Sequence, residues 1–82
     1  MKYDEALLDF NKSIEIDGNN PNPYINRAFV YGALKKYDLA INDINKLIDM
    51  DEGNSLMFYV RGNTYKEMGK FKEAIKDFDK AI

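Results

Sequence analysis

The chain repeats a pattern of residues every 34 positions. The first copy of the pattern consists of Tyr3, Ala6, Leu7, Phe10 and Ile14. The second copy is Tyr37, Ala40, Ile41, Ile44 and Ile48, and the third is Phe71, Ala74, Ile75, Phe78 and Ile82. Between these copies, Tyr24, Arg27, Ala28 and Tyr31 recur as Phe58, Arg61, Gly62 and Tyr65. A fixed period of this length predicts a stacked array of similar units rather than one globular core.

The apolar residues of each copy are spaced three and four positions apart, which is the pattern of an amphipathic helix. The spacing predicts five helices, over residues 2–17, 21–34, 37–51, 55–68 and 71–82. Because all connections between them are short, neighbouring helices should be antiparallel. The predicted fold class is all-α.

Residues with special backbone preferences separate these helices. Asn20 is suited to cap the second helix, and Pro21 fits the first helical position, where the missing N–H needs no partner. Asn54 lies 34 residues further on and should cap the fourth helix in the same way. Gly69 suits the left-handed position that ends many helices.

Small residues recur in the middle of the apolar stripes. Ala6, Ala40 and Ala74 are equivalent, as are Ala28 and Gly62. A small side chain allows two helix backbones to approach closely while large neighbours fill the surrounding space. These positions should therefore set the geometry of the helix pairs.

The composition disfavours catalysis. The 82 residues contain no cysteine and no histidine, which excludes disulfides, thiolate metal sites and the commonest general base. We therefore expect no enzyme activity, no cofactor and no metal. The formal net charge of −2 is too balanced for a nucleic-acid-binding surface.

The hydropathy of the chain gives no indication of a membrane segment. No apolar run approaches the roughly 20 residues that span a bilayer, and the N-terminus lacks the apolar core of a signal peptide. A cytoplasmic location is the default expectation, although a fragment would lack any targeting segment outside it.

The repeat resembles the tetratricopeptide repeat (TPR), a family with a 34-residue period. The residues that carry the resemblance are Tyr24, Arg27, Ala28, Tyr31, Ala40 and Ile44, followed by Phe58, Arg61, Gly62, Tyr65, Ala74 and Phe78. The resemblance implies an α-solenoid of antiparallel helix pairs with about two and a half repeats. Residues 1–20 would be the second helix of a partial repeat, 21–54 a complete repeat, and 55–82 a repeat truncated in its second helix.

Arg27 and Arg61 stand where the family pattern has leucine. Aspartates recur with the same period, at Asp9, Asp43 and Asp77. We hypothesise that each arginine is partly buried between helices and pairs with one of these aspartates. Pairing within a helix hairpin would leave Asp9 over, whereas pairing to the preceding helix would leave Asp77. In the alternative interpretation, the aspartates form exposed pairs with lysines three residues later, which stabilise little.

In this family the first helix of each repeat lines a concave groove that binds peptides. The resemblance assigns this role to Asn22, Ile25, Asn26, Phe29 and Ala33 on one helix and to Leu56, Tyr59, Val60, Asn63 and Lys66 on the other. The groove would be apolar, with Asn26 and Asn63 able to hydrogen-bond a peptide backbone. Phe29 and Tyr59 would alternatively serve mainly in packing.

One subclass of the family binds a C-terminal carboxylate with groove lysines. Ile25 and Tyr59 replace the expected lysine here, so this mode is disfavoured. The expected function is a non-catalytic protein–protein interaction module that binds a peptide or partner segment. The alternative is a structural, self-assembling fragment of a larger multi-repeat protein, since exposed terminal helices would favour homo-oligomers.

Overall fold

The amphipathic pattern forms a helix in every copy of the repeat. The computed structural model describes residues 2–50 and 55–82, and no strand occurs among them. The helices are α1 (Tyr3–Ile16), α2 (Pro21–Ala33), α3 (Tyr37–Met50), α4 (Ser55–Glu67) and α5 (Phe71–Ala81). The all-α prediction is confirmed, and each helix begins and ends within one residue of its predicted bounds.

The start of α2 is capped as the sequence predicts. The Oδ1 atom of Asn20 accepts a hydrogen bond from the backbone N–H of Asn22 at 3.1 Å, and Pro21 is the first helical residue. The cap satisfies one of the four N–H groups that a helix start leaves without a partner. The predicted cap at Asn54 lies outside the described residues.

Two helices end in the same hydrogen-bonded motif. After α4, Gly69 has a φ of 81°, its N–H bonds to the Lys66 carbonyl at 3.0 Å, and the Lys70 N–H bonds to the Tyr65 carbonyl at 2.8 Å. This is the Schellman arrangement, in which glycine avoids the strain of a positive φ. After α2, the equivalent residue is Lys35, with a φ of 61°, so this turn carries strain that a glycine would relieve.

Consecutive helices pack against one another along the chain. Substantial contacts join α1 to α2, α2 to α3, α3 to α4 and α4 to α5, and those within the hairpins α2–α3 and α4–α5 are the most extensive. This order of contacts is that of a solenoid, in which each unit touches only its neighbours. None of the helices in the described ranges combines the length and the hydropathy that crossing a bilayer requires.

The core lies in the centre of the array, around α3. Its buried apolar residues are Tyr24, Ala28, Ala40, Ile41, Ile44, Leu47, Met57 and Ala74. Met57 is not one of the residues that recur with the 34-residue period. The apolar stripe of α1 is only partly buried, and Phe71 and Ile75 in the stripe of α5 are 62% and 60% exposed. Within the described chain, α4 covers a different side of α5.

Gly62 allows α4 and α5 to come close together. A Cβ atom at Gly62 would lie 2.7 Å from Cε1 of Phe78 and 3.2 Å from the backbone oxygen of Ala74. The equivalent positions in the α2–α3 hairpin hold Ala28 and Ile44. In the α4–α5 hairpin the larger Phe78 thus faces the smaller Gly62, whereas in the α2–α3 hairpin the smaller Ile44 faces the larger Ala28.

We expect Gly62→Ala to destabilise the protein. Overpacking costs about 1–3 kcal/mol, which exceeds the gain of about 1 kcal/mol from the better helix propensity of alanine. In a Phe78→Ile background the clash with the ring is absent and only the tight approach to the Ala74 oxygen remains, so the same change should be much less destabilising. Urea unfolding of the two single variants and the double variant measures both effects. An equal effect of Gly62→Ala in both backgrounds would contradict the proposed steric cause.

Candidate functional site

Arg27 holds three helices together. From α2, its Nε and Nη2 atoms donate to Oδ2 and Oδ1 of Asp43 on α3 at 2.8 and 2.6 Å. Its Nη1 atom donates to Oδ1 of Asn11 on α1 at 2.8 Å. A guanidinium with its donors in a fixed fork suits such a bidentate carboxylate contact.

The next repeat contains the same arrangement 34 residues later. Arg61 on α4 donates from Nε and Nη2 to Asp77 on α5, each at 2.8 Å, and from Nη1 to Asn45 on α3 at 2.8 Å. The hypothesis of partly buried arginine–aspartate pairs within each hairpin is confirmed. As that geometry requires, Asp9 is left exposed, with no ion pair among the described residues.

Burial and aromatic neighbours reinforce these contacts. The side chains of Asp43 and Asp77 are 5% and 4% exposed. The hydrogen bonds that each guanidinium donates to its aspartate raise the pKa of the guanidinium, against the opposing effect of its own desolvation. Both arginines therefore stay charged at any ordinary pH. The Arg27 guanidinium also lies 5.7 and 5.8 Å from the ring centroids of Tyr24 and Tyr31, within cation–π range.

The candidate binding site is a groove between α2, α3 and α4. Its volume is about 520 Å³. The residues that line it are Ile25, Ala28, Phe29, Gly32, Ala33, Tyr37, Ile44, Leu47, Leu56, Met57, Tyr59, Val60, Asn63, Thr64 and Glu67. The lining is mostly apolar, and no lysine or arginine is among its described residues.

Seven of the ten predicted groove residues line this space. They are Ile25, Phe29, Ala33, Leu56, Tyr59, Val60 and Asn63. Asn22, Asn26 and Lys66 are exposed and are not among the residues that line it, so their role in a groove stays a prediction.

The sequence interpretation missed the floor of the groove. Tyr37, Ile44 and Leu47 on α3 lie beneath the space between α2 and α4, as does Met57. The resemblance assigned the groove to the first helix of each repeat alone. The small residues Ala28 and Gly32 were the sequence signal that could have indicated this floor, because they leave α3 accessible between larger neighbours.

The groove residues differ in how much of each side chain packs against the core. Ile25 and Val60 pack against the buried cluster of Tyr24, Leu47 and Met57. By contrast, Phe29 and Leu56 are each 61% exposed and Tyr59 is 51% exposed. The Tyr59 ring also lies 5.8 Å from that of Phe78, centroid to centroid, so Tyr59 contributes to packing as well. Phe29 and Leu56 are thus the most exposed large apolar side chains that line the groove.

Little in the groove could carry chemistry. Its polar lining side chains are Asn63, Thr64, Glu67 and the Tyr37 and Tyr59 hydroxyls, and the Thr64 hydroxyl donates to the Val60 carbonyl at 2.9 Å. Throughout residues 2–50 and 55–82, no cluster of three acidic, histidine or cysteine side chains is arranged to hold a metal ion. The arrangement suits contact with an apolar surface.

Comparison with known proteins gives the same fold. Tetratricopeptide repeat family models match residues 10–42 and 55–82. The second TPR of Spaghetti (RPAP3), bound to the HSP90 peptide SRMEEVD, is 34% identical with a TM-score of 0.86, and the alignment covers 98% of this chain and 74% of that one. No curated protein matches the chain significantly.

Two further solved structures are similar. The first TPR of Spaghetti, bound to the same peptide, is 32% identical with a TM-score of 0.87, and the alignment covers 98% of this chain and 64% of that one. MamA is 25% identical with a TM-score of 0.91, over 98% and 47% of the two chains. The chain thus spans less than two thirds of each of these two structures. With the periodicity, the helix hairpins and the groove, these similarities establish that the chain belongs to the tetratricopeptide repeat family.

Proposed function

We propose that the chain is a non-catalytic interaction module that binds an apolar segment of a partner protein in the groove between α2, α3 and α4. The observation that carries the proposal is the exposure of three large apolar side chains, Phe29, Leu56 and Tyr59, around one concave surface. Contiguous apolar surface of this kind commonly marks an interaction site.

The polar groups in the groove are few and suited to orienting a peptide. The Asn63 amide offers both a donor and an acceptor, which matches the alternating groups of a peptide backbone. Most of the affinity would come from burial of apolar side chains against Phe29 and Leu56, at about 25 cal/mol per Å² of apolar surface.

The related domains of Spaghetti bind SRMEEVD, an acidic peptide. We propose a different ligand chemistry here, because the described groove lining contains no lysine or arginine to balance such charges and contains Glu67. An apolar segment with a neutral or basic flank fits this lining better. Burial of an unpaired carboxylate would be unfavourable.

The proposal predicts a specific outcome for peptide selection and binding. A displayed peptide library selected on the wild-type protein should enrich sequences with large apolar residues, and a synthetic enriched peptide should bind more tightly than SRMEEVD. Phe29→Ala should weaken its binding about tenfold, since an aromatic contact residue contributes on the order of 1–2 kcal/mol. Fluorescence anisotropy titrations measure these dissociation constants.

Leu8→Ala is the matched control, because Leu8 is 69% exposed on α1 and lies outside the groove. It should leave binding unchanged, and neither variant should lower the urea midpoint appreciably. Equal weakening by the two substitutions, or tighter binding of SRMEEVD than of any apolar peptide, would contradict the proposal.

A further inference from the structure

Gly32 is a helical glycine that the described fold does not require. It lies in the last turn of α2, where glycine weakens a helix relative to alanine. Gly62 is needed for the close approach of Phe78, and Gly69 for its positive φ. Gly32 has no positive φ, and apart from its own helix a Cβ atom built on it would meet no atom of the described chain within 4 Å. The residue therefore leaves a space that the described chain does not fill.

This space belongs to one end of the groove between α2, α3 and α4. Gly32 and Ala33 line the groove from the end of α2, and Glu67, the last residue of α4, lines it as well. Ala33 and Glu67 are equivalent positions in the repeat, 34 residues apart, so they lie at the same level of the stacked array. This end of the groove therefore combines very small residues on α2 with a carboxylate on α4.

The groove lining of α4 changes from apolar to acidic along the helix. In chain order the lining residues are Leu56, Met57, Tyr59, Val60, Asn63, Thr64 and Glu67. At 1.5 Å per residue, the distance along the helix axis from Leu56 to Glu67 is roughly 16 Å. A segment that lies along α4 would therefore meet an apolar surface near Leu56 and a carboxylate at the far end.

Glu67 is the only charged side chain of the described groove lining. It is exposed, and neither ion pair of the described chain includes it. Lys35 and Lys36 line an adjoining cavity, which shares Tyr37 and Glu67 with the groove and also contains Asp38. These lysines do not line the groove itself, so a segment bound there would meet the charge of Glu67 first.

We propose that a lysine or arginine of the bound segment lies over Gly32 and Ala33 and forms an ion pair with Glu67. This proposal rests on the proposed function, because it names the residue type that the groove selects. The aliphatic stem of a lysine or arginine packs along apolar surface while its charged end stays near water. The space beside Gly32 accommodates the stem, and the exposed carboxylate of Glu67 supplies the opposite charge.

Peptide selection tests the choice of residue. A displayed library of random peptides is selected in parallel on the wild-type chain and on the Glu67→Lys variant. The wild type should enrich apolar peptides that contain a lysine or arginine, whereas Glu67→Lys should enrich apolar peptides that lack one. Equal enrichment of basic residues on both proteins would overturn the proposal.

A matched pair of peptides isolates the charge. One is a synthetic enriched peptide with lysine as its basic residue, and the other carries norleucine there, which keeps the stem and removes the charge. Glu67→Gln should weaken binding of the lysine peptide about three- to fivefold, as expected for an ion pair at an exposed site. Binding of the norleucine peptide should not change. Glu73→Gln, exposed on α5 and outside the groove, should affect neither peptide in anisotropy titrations.

Gly32→Leu tests the position of the stem. The added side chain should fill the space and weaken both peptides about tenfold, since overfilling a packed contact is costly. The urea midpoint should not fall, because the space is open and leucine favours helix more than glycine does. Ser13→Leu, at an exposed position of α1 outside the groove, should leave binding unchanged. Undiminished binding by Gly32→Leu would contradict the placement over Gly32.

The measurements distinguish failure of this proposal from failure of the proposed function. If Phe29→Ala weakens binding but Glu67→Gln affects the lysine and norleucine peptides equally, the groove binds apolar segments without selecting a basic residue. That outcome overturns the present proposal alone. If no peptide is enriched, or if Phe29→Ala leaves the binding of every enriched peptide unchanged, both proposals are wrong.

Discussion

Arg61→Ala should destabilise the protein by about 3–5 kcal/mol, the usual cost of removing one partner of a buried ion pair. The substitution deletes three hydrogen bonds, to Asp77 and Asn45. It leaves the Asp77 side chain, which is 4% exposed, charged and without its partner. Since small domains are stable by only about 5–15 kcal/mol, a large fraction of the folded population could be lost at elevated temperature. Urea unfolding followed by circular dichroism measures the change.

Two controls separate the buried charge from the loss of a side chain. Lys66→Ala, at an exposed position on the same helix, should change the stability by less than about 0.5 kcal/mol. The double variant Arg61→Met with Asp77→Leu should recover much of the loss, because apolar residues can replace a buried pair once no charge remains. A single Arg61→Ala variant as stable as Lys66→Ala would disprove the importance of the cluster.

Ile44→Ala should cost about 2–5 kcal/mol, the range for removing a large aliphatic side chain from a packed core. Ile44 is 1% exposed and has the largest fully buried side chain among the described residues. Its removal leaves a cavity at the floor of the groove, where α2, α3 and α4 meet. The position of the cost in that range depends on how far these helices collapse into the space. Thermal and urea unfolding both report it.

Ile75→Ala is the matched control, since it makes the same chemical change at a position that is 60% exposed. We expect a loss below about 0.5–1 kcal/mol, because little buried surface is removed. Large losses of stability in both variants would mean that Ile75 is covered in solution. Small losses in both variants would mean that the core around Ile44 is looser than its burial indicates.

The sequence was sufficient to predict the helices because their determinants are local. Apolar spacing, the Asn20 cap and the glycine after α4 each act within a few residues. The arginine–aspartate pairs could also be predicted from the sequence, because Arg27 and Asp43 recur together as Arg61 and Asp77. The asparagines that accept the third hydrogen bond recur in the same way, at Asn11 and Asn45, but the sequence interpretation gave them no role.

Features that depend on how the helices pack against one another were harder to predict. The apolar pattern of α5 equals that of α3, yet periodicity cannot report whether a neighbour covers Phe71 and Ile75. The residues of α3 at the floor of the groove were not predicted for a related reason. The resemblance assigned a groove to α2 and α4 alone, whereas the contribution of Ile44 and Leu47 from α3 depends on the angle between the helices.

The position of α3 between the two arginine clusters has a consequence for how the protein melts. Asp43 binds the arginine of the preceding helix, and Asn45, two residues later, binds the arginine of the following one. Loosening of either hairpin therefore disturbs a helix on which the other depends. Repeat arrays can unfold unit by unit from their ends. Because both hairpins depend on hydrogen bonds to α3, they should instead unfold together in a single cooperative transition.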